Sequence, residues 1–240
     1  MITARSLILP TLLIAAPTLA ATEDLTTYTE VDANSKISVT ADRVTWAGTG
    51  NGETSYVYDD KGAGHFSGDF AHRFLLRMGS SSAYWAWIGA YCLSTHVGTI
   101  SGMAGAGADA VAIRPRRVSS SEYRIYLYLY EAGSGTSDVW SGAAGDTVYY
   151  VTVSRDDDAG ANSTGRYTCT ICTGNYYGES GASLQDTLTL DSSAGEQNDF
   201  RYVYAVTGNG NGEDYYASYG YLEDLDLQET TPSGAPPQIF

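Results

Sequence analysis

The residues Tyr123 to Tyr130 carry the most suggestive chemistry in the chain. Tyr123, Ile125, Leu127 and Leu129 alternate with Arg124, Tyr126, Tyr128 and Tyr130. Side chains alternate between faces along a strand, so this is one β-strand with an aliphatic face and a tyrosine–arginine face. The aliphatic face needs a covering layer. Two uses are open to the tyrosine face. The rings can pack on one another across a solvated sheet. Alternatively they can form a platform on which a sugar ring stacks while phenol and guanidinium groups bond its hydroxyls. Trp85, Trp87 and Tyr91 fall on one face of the segment 84–91, read as a strand, and raise the same choice. Trp140 lies in the polar stretch 133–146, read as a loop, where an aromatic is harder to explain as core. The candidate carbohydrate-binding set is therefore Arg124, Tyr126, Tyr128, Tyr130, Trp85, Trp87 and Trp140.

Other groups suggest less. Asp59, Asp60 and Asp69 flank a glycine-rich loop, and Asp156, Asp157, Asp158 and Asn162 share another. Hard oxygen donors suit Ca2+, so both loops are candidate calcium sites. Neither follows a known calcium-loop spacing, and acidic turns are ordinary in an acidic protein. His65, His72 and His96 are scattered with no serine or cysteine motif beside them, which gives no support to a catalytic triad. Cys169 and Cys172, three apart on a strand, face opposite sides; Cys92 could bridge to one of them if the chain is exported. A single C-x-x-C pair is a poor case for zinc.

The chain has 240 residues, 28 acidic against 13 basic, for a net charge of −15. Such a surface repels nucleic acid and anionic membranes. Residues 1–21 have the layout of a cleaved export signal: Arg5, an apolar run from Ser6 to Ala16, and small residues around Ala20. No later segment is apolar enough to span a bilayer. The expected location is secreted or cell-surface. Residues 230–240, with three prolines, form a tail without core pattern.

Residues 22–229 are expected to form one domain. A hairpin is predicted over 37–46, and strands over 56–58, 70–78, 84–91, 110–114, 123–130, 147–155, 166–172, 184–190, 200–206 and 219–227. The 147–172 pair is the clearest hairpin. Residues 94–110, rich in Gly, Ala and Ser, are expected to be a connection, and no helix is predicted. Twenty tyrosines and 27 glycines favour strands and turns. About a dozen short strands between turn signals predict an all-β sandwich.

Several segments together resemble the concanavalin A-like lectin/glucanase superfamily in its laminin-G-like jelly-roll form. They are Tyr56-Val-Tyr58 followed by Lys61-Gly-Ala-Gly-His-Phe-Ser-Gly-Asp-Phe70, then Val148-Tyr-Tyr-Val-Thr-Val-Ser-Arg-Asp156, and the closing Gly220-Tyr-Leu-Glu-Asp-Leu-Asp-Leu227. The resemblance spans about residues 28–229. It implies two curved antiparallel sheets, with glycan held on the concave face or at an edge loop. The superfamily's glucanases carry a Glu-x-Asp-x-Glu strand, which places three carboxylates on one face. This chain has no such triplet; in Glu223-Asp224-Leu225-Asp226 only Asp224 and Asp226 share a face. The expected function is an exported, non-catalytic carbohydrate-binding domain, its partner a glycan or polysaccharide. The alternative is a structural or adhesive module of a cell surface or virion. A glycoside hydrolase or lyase is less favoured.

Overall fold

The computed structural model describes residues 22–49, 54–86, 88–160, 163–193, 200–208 and 217–228. The expected signal segment and the proline-rich tail lie outside them. The strands in chain order are β1 (Thr29–Asp32), β2 (Ile37–Val39), β3 (Arg43–Thr49), β4 (Ser55–Asp60), β5 (Phe70–Met78), β6 (Tyr91–Ser94) and β7 (Ala110–Arg117). Then come β8 (Tyr123–Glu131), β9 (Ser134–Ala143), β10 (Val148–Asp156), β11 (Arg166–Thr173), β12 (Ser183–Asp191), β13 (Tyr202–Thr207) and β14 (Ser218–Asp226). A 3-10 turn at Leu25–Thr27 precedes them, and one short helix, α1 (Ile100–Gly105), lies between β6 and β7. None of these helices is long and apolar enough to cross a membrane.

The strands form two antiparallel sheets of seven, an all-β sandwich as expected. Sheet one runs β1-β4-β13-β6-β7-β8-β9; sheet two runs β12-β11-β10-β5-β14-β3-β2. Alternation places the core. In β5, every second residue from Phe70 to Met78 is buried, and β10 buries Tyr149, Val151, Val153 and Arg155 in the same rhythm. Their inward side chains meet Ile125, Leu127 and Leu129 of β8, Val111 and Ile113 of β7, and Val203 of β13. The β10–β11 hairpin pairs in continuous register from Tyr150↔Cys172 to Asp156↔Arg166.

Gly220 shows how closely this core is packed. It lies in β14 between Trp46 of β3 and Met78 of β5. A Cβ there would collide with the backbone oxygen of Arg77 and stand 2.6 Å from the Trp46 ring. Backbone on one side and a wholly buried indole on the other leave little room to relax. Gly220→Ala is expected to cost about 1–3 kcal/mol, read as a lowered urea midpoint with unchanged slope.

Several expectations need correction. Among the described residues of the predicted strand 84–91, Tyr84 and Trp85 form a turn, Gly89 makes only an isolated bridge to Thr207, and the strand begins at Tyr91 and runs to Ser94. The stretch 134–143, expected as a loop, is the edge strand β9. Strand β7 does not stop at Pro115 but runs through it, with Pro115 opposite Ile125. The connection 94–110 carries α1, which docks on the outer face of sheet one. There Ile100, Met103 and Ala108 pack on Cys92, Ala110, Ala112 and Tyr204 as a second cluster, flanked by Tyr56, Tyr58, Tyr128, Tyr130 and Tyr202. Small side chains at Ala110 and Ala112 leave the shelf on which the helix rests. The Tyr204 hydroxyl pins the segment, accepting from Gly98 N at 2.8 Å and donating to His96 O at 2.9 Å. Cys92, Cys169 and Cys172 are all buried free thiols, so the disulfide considered for Cys92 is not formed.

Candidate functional site

The tyrosine ladder of β8 lies on the outer face of sheet one, opposite the aliphatic residues in the core. It is more enclosed than a platform. Tyr126 is only 6% exposed, and its hydroxyl accepts from Arg124 Nη1 at 3.3 Å. The Tyr126 and Tyr128 rings lie 5.6 Å apart, and those of Tyr128 and Tyr130 stack at 5.8 Å. Arg114, itself buried, reaches across from β7: its guanidinium is 4.8 Å from the Tyr128 ring, and Nη1 donates to the Tyr130 hydroxyl at 3.1 Å. Burial first, then neighbouring charges, raises the pKa of the Tyr128 and Tyr130 phenols, with Arg114 pulling the other way. The phenols therefore stay neutral. The ladder packs on its own chain along the flank of the α1 cluster.

The other sequence-predicted residues scatter. Trp140 stands opposite Ile125 and points into the sandwich, half-buried and edge-on to Tyr149 at 5.4 Å. Trp87 lies outside the described residues. Trp85 is 48% exposed, with the guanidinium of Arg116 4.4 Å from its ring. Asp59, Asp60 and Asp69 serve different partners. Asp59 pairs with Lys61 at 2.9 Å, Asp60 forks onto Arg201 at 2.5 and 2.6 Å, and Asp69 accepts from Asp157 N at 2.8 Å. In the second loop, Asp156 caps the backbone of Asp158 and Ala159, and Asn162 is outside the described residues. Among the described residues no group of three or more His, Cys, Asp or Glu side chains is placed to hold a metal ion.

A different surface is open: the outer face of sheet two. A depression of about 410 Å³ is lined by Thr22, Arg73, Leu75, Tyr150, Asn175, Tyr176, Glu179, Asp224 and Asp226. Its floor is β5, β10 and β14, which lie side by side. One wall is the turn after β11, where Gly174 takes φ 82°. A Cβ at Gly174 would collide with the backbone of Gly181 across that turn. The turn places Tyr176 over the sheet, edge-on to Tyr150 at 5.1 Å and 5.2 Å from the Arg73 guanidinium. Arg73 Nη1 also donates to Glu179 at 2.8 Å. Tyr177 beside it is 60% exposed.

On the opposite wall, the β14–β5 ladder shifts register between Glu223 and Asp226, and Asp224 takes φ 53°. Burial, then the charges of Glu223 and Asp42, holds the Asp224 carboxyl above the usual range. Burial likewise raises the Tyr176 phenol well above the usual tyrosine range. Beyond the depression, Tyr221 sits between Arg43 at 4.4 Å and Arg77 at 5.7 Å. Towards β12 the floor becomes hydroxyl-bearing: Thr152, Thr170 and Thr187 are in register across three strands, as are Ser154, Thr168 and Thr189. This face offers rings for stacking, guanidinium and carboxylate groups for charge-assisted bonds, and hydroxyls. The alternation in 70–78 already put Arg73, Leu75 and Arg77 on one face. That β10 and β14 flank β5, and that the 173–182 turn covers it, was not in the sequence pattern.

Two seven-stranded antiparallel sheets in this order make a concanavalin A-like lectin/glucanase fold. A legume lectin-like domain from Entamoeba histolytica is similar with a TM-score of 0.50 and 12% identity, over 87% of this chain and 97% of that domain. The exoplasmic/lumenal domain of VIP36, solved in a Ca2+/Man3GlcNAc-bound form, has a TM-score of 0.48 and 10% identity, over 85% of this chain and 86% of that one. Alginate lyase Aly36B has a TM-score of 0.44 and 13% identity, over 83% and 88%. No protein-family model matches the sequence, and a comparison with curated proteins found no match. At these identities the likeness is one of fold.

Proposed function

We propose that this chain is an exported carbohydrate-binding domain of lectin type, holding a glycan or polysaccharide segment on the outer face of sheet two. One observation carries the reading: that face has an open, ring-walled polar depression, whereas sheet one's outer face is occupied by the chain's own α1 segment. Tyr150 and Tyr176 offer aromatic surface to the apolar faces of sugar rings. Arg73, Asp224, Asp226 and Asn175 bond the hydroxyls, the usual division of labour in a ligand cleft. Export rests on the layout of residues 1–21.

A glycan array with the intact protein, followed by titration of Tyr176→Ala and Tyr150→Ala, tests the site. Each variant is expected to weaken binding about tenfold, equivalent to ~1.4 kcal/mol, with an unchanged melting temperature. An intact protein that binds no glycan would overturn the reading. Asp224, its carboxyl raised and Asp226 nearby, is the observation that favours a glycan-cleaving alternative, since such chemistry needs a protonated acid beside a second carboxylate. New reducing or unsaturated ends on a bound polysaccharide, lost in Asp224→Asn, would establish it; an unchanged polysaccharide keeps the domain a binder.

A further inference from the structure

We propose that the glycan taken by the sheet-two depression carries free amines: an amino sugar, with its ring against Tyr176 and Tyr150 and its ammonium between Asp224 and Asp226. The inference rests on the reading of that depression as a glycan site and adds the charge of the ligand.

The first observation is how the charges of this face pair. The guanidinium groups that point outward from β3, β5 and β11 each have a carboxylate. Arg43 meets Glu223 at 2.5 Å, Arg73 meets Glu179 at 2.8 Å, Arg77 meets Asp146, and Arg166 meets Asp191 at 2.7 Å. Two carboxylates of the depression are left over. Asp226 accepts from Gln228 N at 2.8 Å and, among the described residues, forms no ion pair. Asp224 forms none among them either. The acidic Glu223 and Asp42 weigh more on it than Arg43, whose charge Glu223 already engages. The lining of the depression thus holds Glu179, Asp224 and Asp226 against Arg73 alone.

The second is the company those carboxylates keep. After burial, their charges raise the pKa of the Tyr176 phenol, so ring and carboxylates share one small space. The rings of this face already attract cations: Tyr176 has the Arg73 guanidinium at 5.2 Å, and Tyr221 has that of Arg43 at 4.4 Å.

The third is size. The depression measures about 410 Å³, within the span of roughly 300–1,000 Å³ usual for small-ligand clefts and more than a lone cation needs. Among the described residues no three acidic, histidine or cysteine side chains converge on a metal ion there.

These observations decide the charge of the ligand through desolvation. Any sugar seated on Tyr176 and Tyr150 takes water away from Asp224 and Asp226. Beneath a neutral sugar the two carboxylates lose solvation without a counter-charge, and a uronate adds repulsion. An ammonium replaces the lost water with charge-assisted bonds. A lysine side chain carries the same ammonium, but it has no ring face to set on Tyr176. It also has no hydroxyls for the row of Thr152, Thr170 and Thr187 alongside.

The test titrates the full-length protein by calorimetry with four oligomers of equal length: glucosamine with free amines, its N-acetylated counterpart, an oligouronate and oligolysine. N-acetylation removes the charge and keeps the sugar ring, so this pair isolates the ammonium. The free-amine oligomer is expected to bind about tenfold more tightly than the N-acetylated one, the sum of two part-exposed ion pairs, with the preference shrinking as salt rises. The oligouronate should bind more weakly than either. Asp226→Asn should cut the preference about threefold, and Asp224→Asn with Asp226→Asn should abolish it while N-acetylated binding persists. Both substitutions suit the fold: asparagine adopts φ 53° at 224 and still accepts from Gln228 N at 226, so the melting temperature should hold. Glu30→Gln, which removes one exposed charge from β1 of the other sheet, should leave the preference in place.

Five results would overturn the inference. Equal affinity for the free-amine and N-acetylated oligomers, both weakened by Tyr176→Ala, would remove it and leave the glycan reading of the depression standing. An unaltered preference in the double variant would put the ammonium elsewhere. The same loss in Glu30→Gln as in Asp226→Asn would reduce the effect to the net charge of −15. Oligolysine binding as tightly as the free-amine oligomer would make the depression a site for a basic peptide. If neither sugar oligomer binds, the inference falls, and the glycan array decides separately whether the reading beneath it stands.

Discussion

Arg155→Ala is expected to destabilise the domain by about 3–5 kcal/mol, a large effect for one side chain. Arg155 is the last inward-facing residue of β10, where the alternation that buries Val151 and Val153 carries a guanidinium into the end of the core. It is 2% exposed. Its charge meets the Asp157 carboxylate in an ion pair, and Nη1 donates to Phe66 O at 3.4 Å. The rings of Tyr167 and Phe200 both lie 5.9 Å away. Asp157 in turn gives its backbone N–H to Asp69, so the pair ties the β10–β11 turn to the loop before β5. Removing the arginine leaves a largely buried carboxylate without its cation, and that is what makes breaking such a pair expensive. Replacing both partners, as in Arg155→Met with Asp157→Leu, should recover most of the loss, because the desolvation of both charges disappears with them.

Chemical unfolding of the two single variants and the double variant measures this directly, and the coupling from the cycle should exceed 1 kcal/mol. Burial already pushes the Asp157 carboxyl up, aided by the charges of Asp69 and Asp158, while Arg155 pulls it down. Without Arg155 it should titrate higher still, and the deficit of Arg155→Ala should shrink as the medium is acidified. Additive single losses, or a deficit independent of pH, would show that the arginine acts through packing alone.

The sandwich was legible wherever one face of a strand is apolar and the other is not. β5, β8, β10 and β11 announce themselves by period-two alternation, and their outward residues follow from the same count. β9 does not: Ser134–Ala143 is an edge strand exposed along most of its length, with polar residues on both faces, so periodicity has nothing to register. Pro115 looked like a stop signal. The ladder between β6 and β7 ends at Ile113, so beyond that point, among the described residues, β8 is the only strand paired with β7, and a residue without an N–H is tolerated there. The run Tyr84 to Tyr91 alternates large and small residues like a strand, but Tyr84 and Trp85 form a turn and Trp85 N–H donates to Arg117 O. α1 is only six residues long and includes Gly102 and Gly105, too little to hold a helix alone, and it owes its form to docking on Ala110, Ala112 and Tyr204, a tertiary effect no local window contains.

The functional surface was less legible still. Which sheet face stays open depends on which connection folds back over the other. Nothing local to 123–130 says that residues 96–108 occupy the same side of sheet one. The depression on sheet two is assembled from segments about 70 residues apart in sequence, through the order β10-β5-β14. Its individual strands were found; their juxtaposition was not.

Acidification should unfold this domain in part through His72, with up to ~5 kcal/mol at stake. His72 faces inward from β5 and is 1% exposed. Its ring stacks on Phe70 at 4.6 Å and meets Phe66 edge-on at 5.2 Å, and Nδ1 is hydrogen-bonded to the buried Tyr91 hydroxyl. Burial, reinforced by the charges of His65 and Lys61, depresses its pKa from 6.5 to about 3. In the unfolded chain the ring protonates near pH 6.5; in the fold it stays neutral. The folded value is the lower one, so the unfolded state takes up the proton first. The contribution of His72 is fully present above pH 6.5 and is lost progressively as pH falls towards 3.

The gap between those values, at 1.36 kcal/mol per pKa unit, sets the ceiling of ~5 kcal/mol, lost at ~1.4 kcal/mol per unit once pH is below 6.5. Protonating the many carboxylates of this −15 chain changes stability over the same range, but does so equally in a variant. The informative quantity is therefore the difference between the wild type and His72→Phe with Tyr91→Phe, which removes the imidazole without stranding the Tyr91 hydroxyl. The double variant should start less stable at pH 7 and decline more slowly, so the curves converge or cross between pH 6 and 4. Parallel curves would mean that His72 gains water or a counter-charge on protonation, and that the acid sensitivity of the domain lies elsewhere.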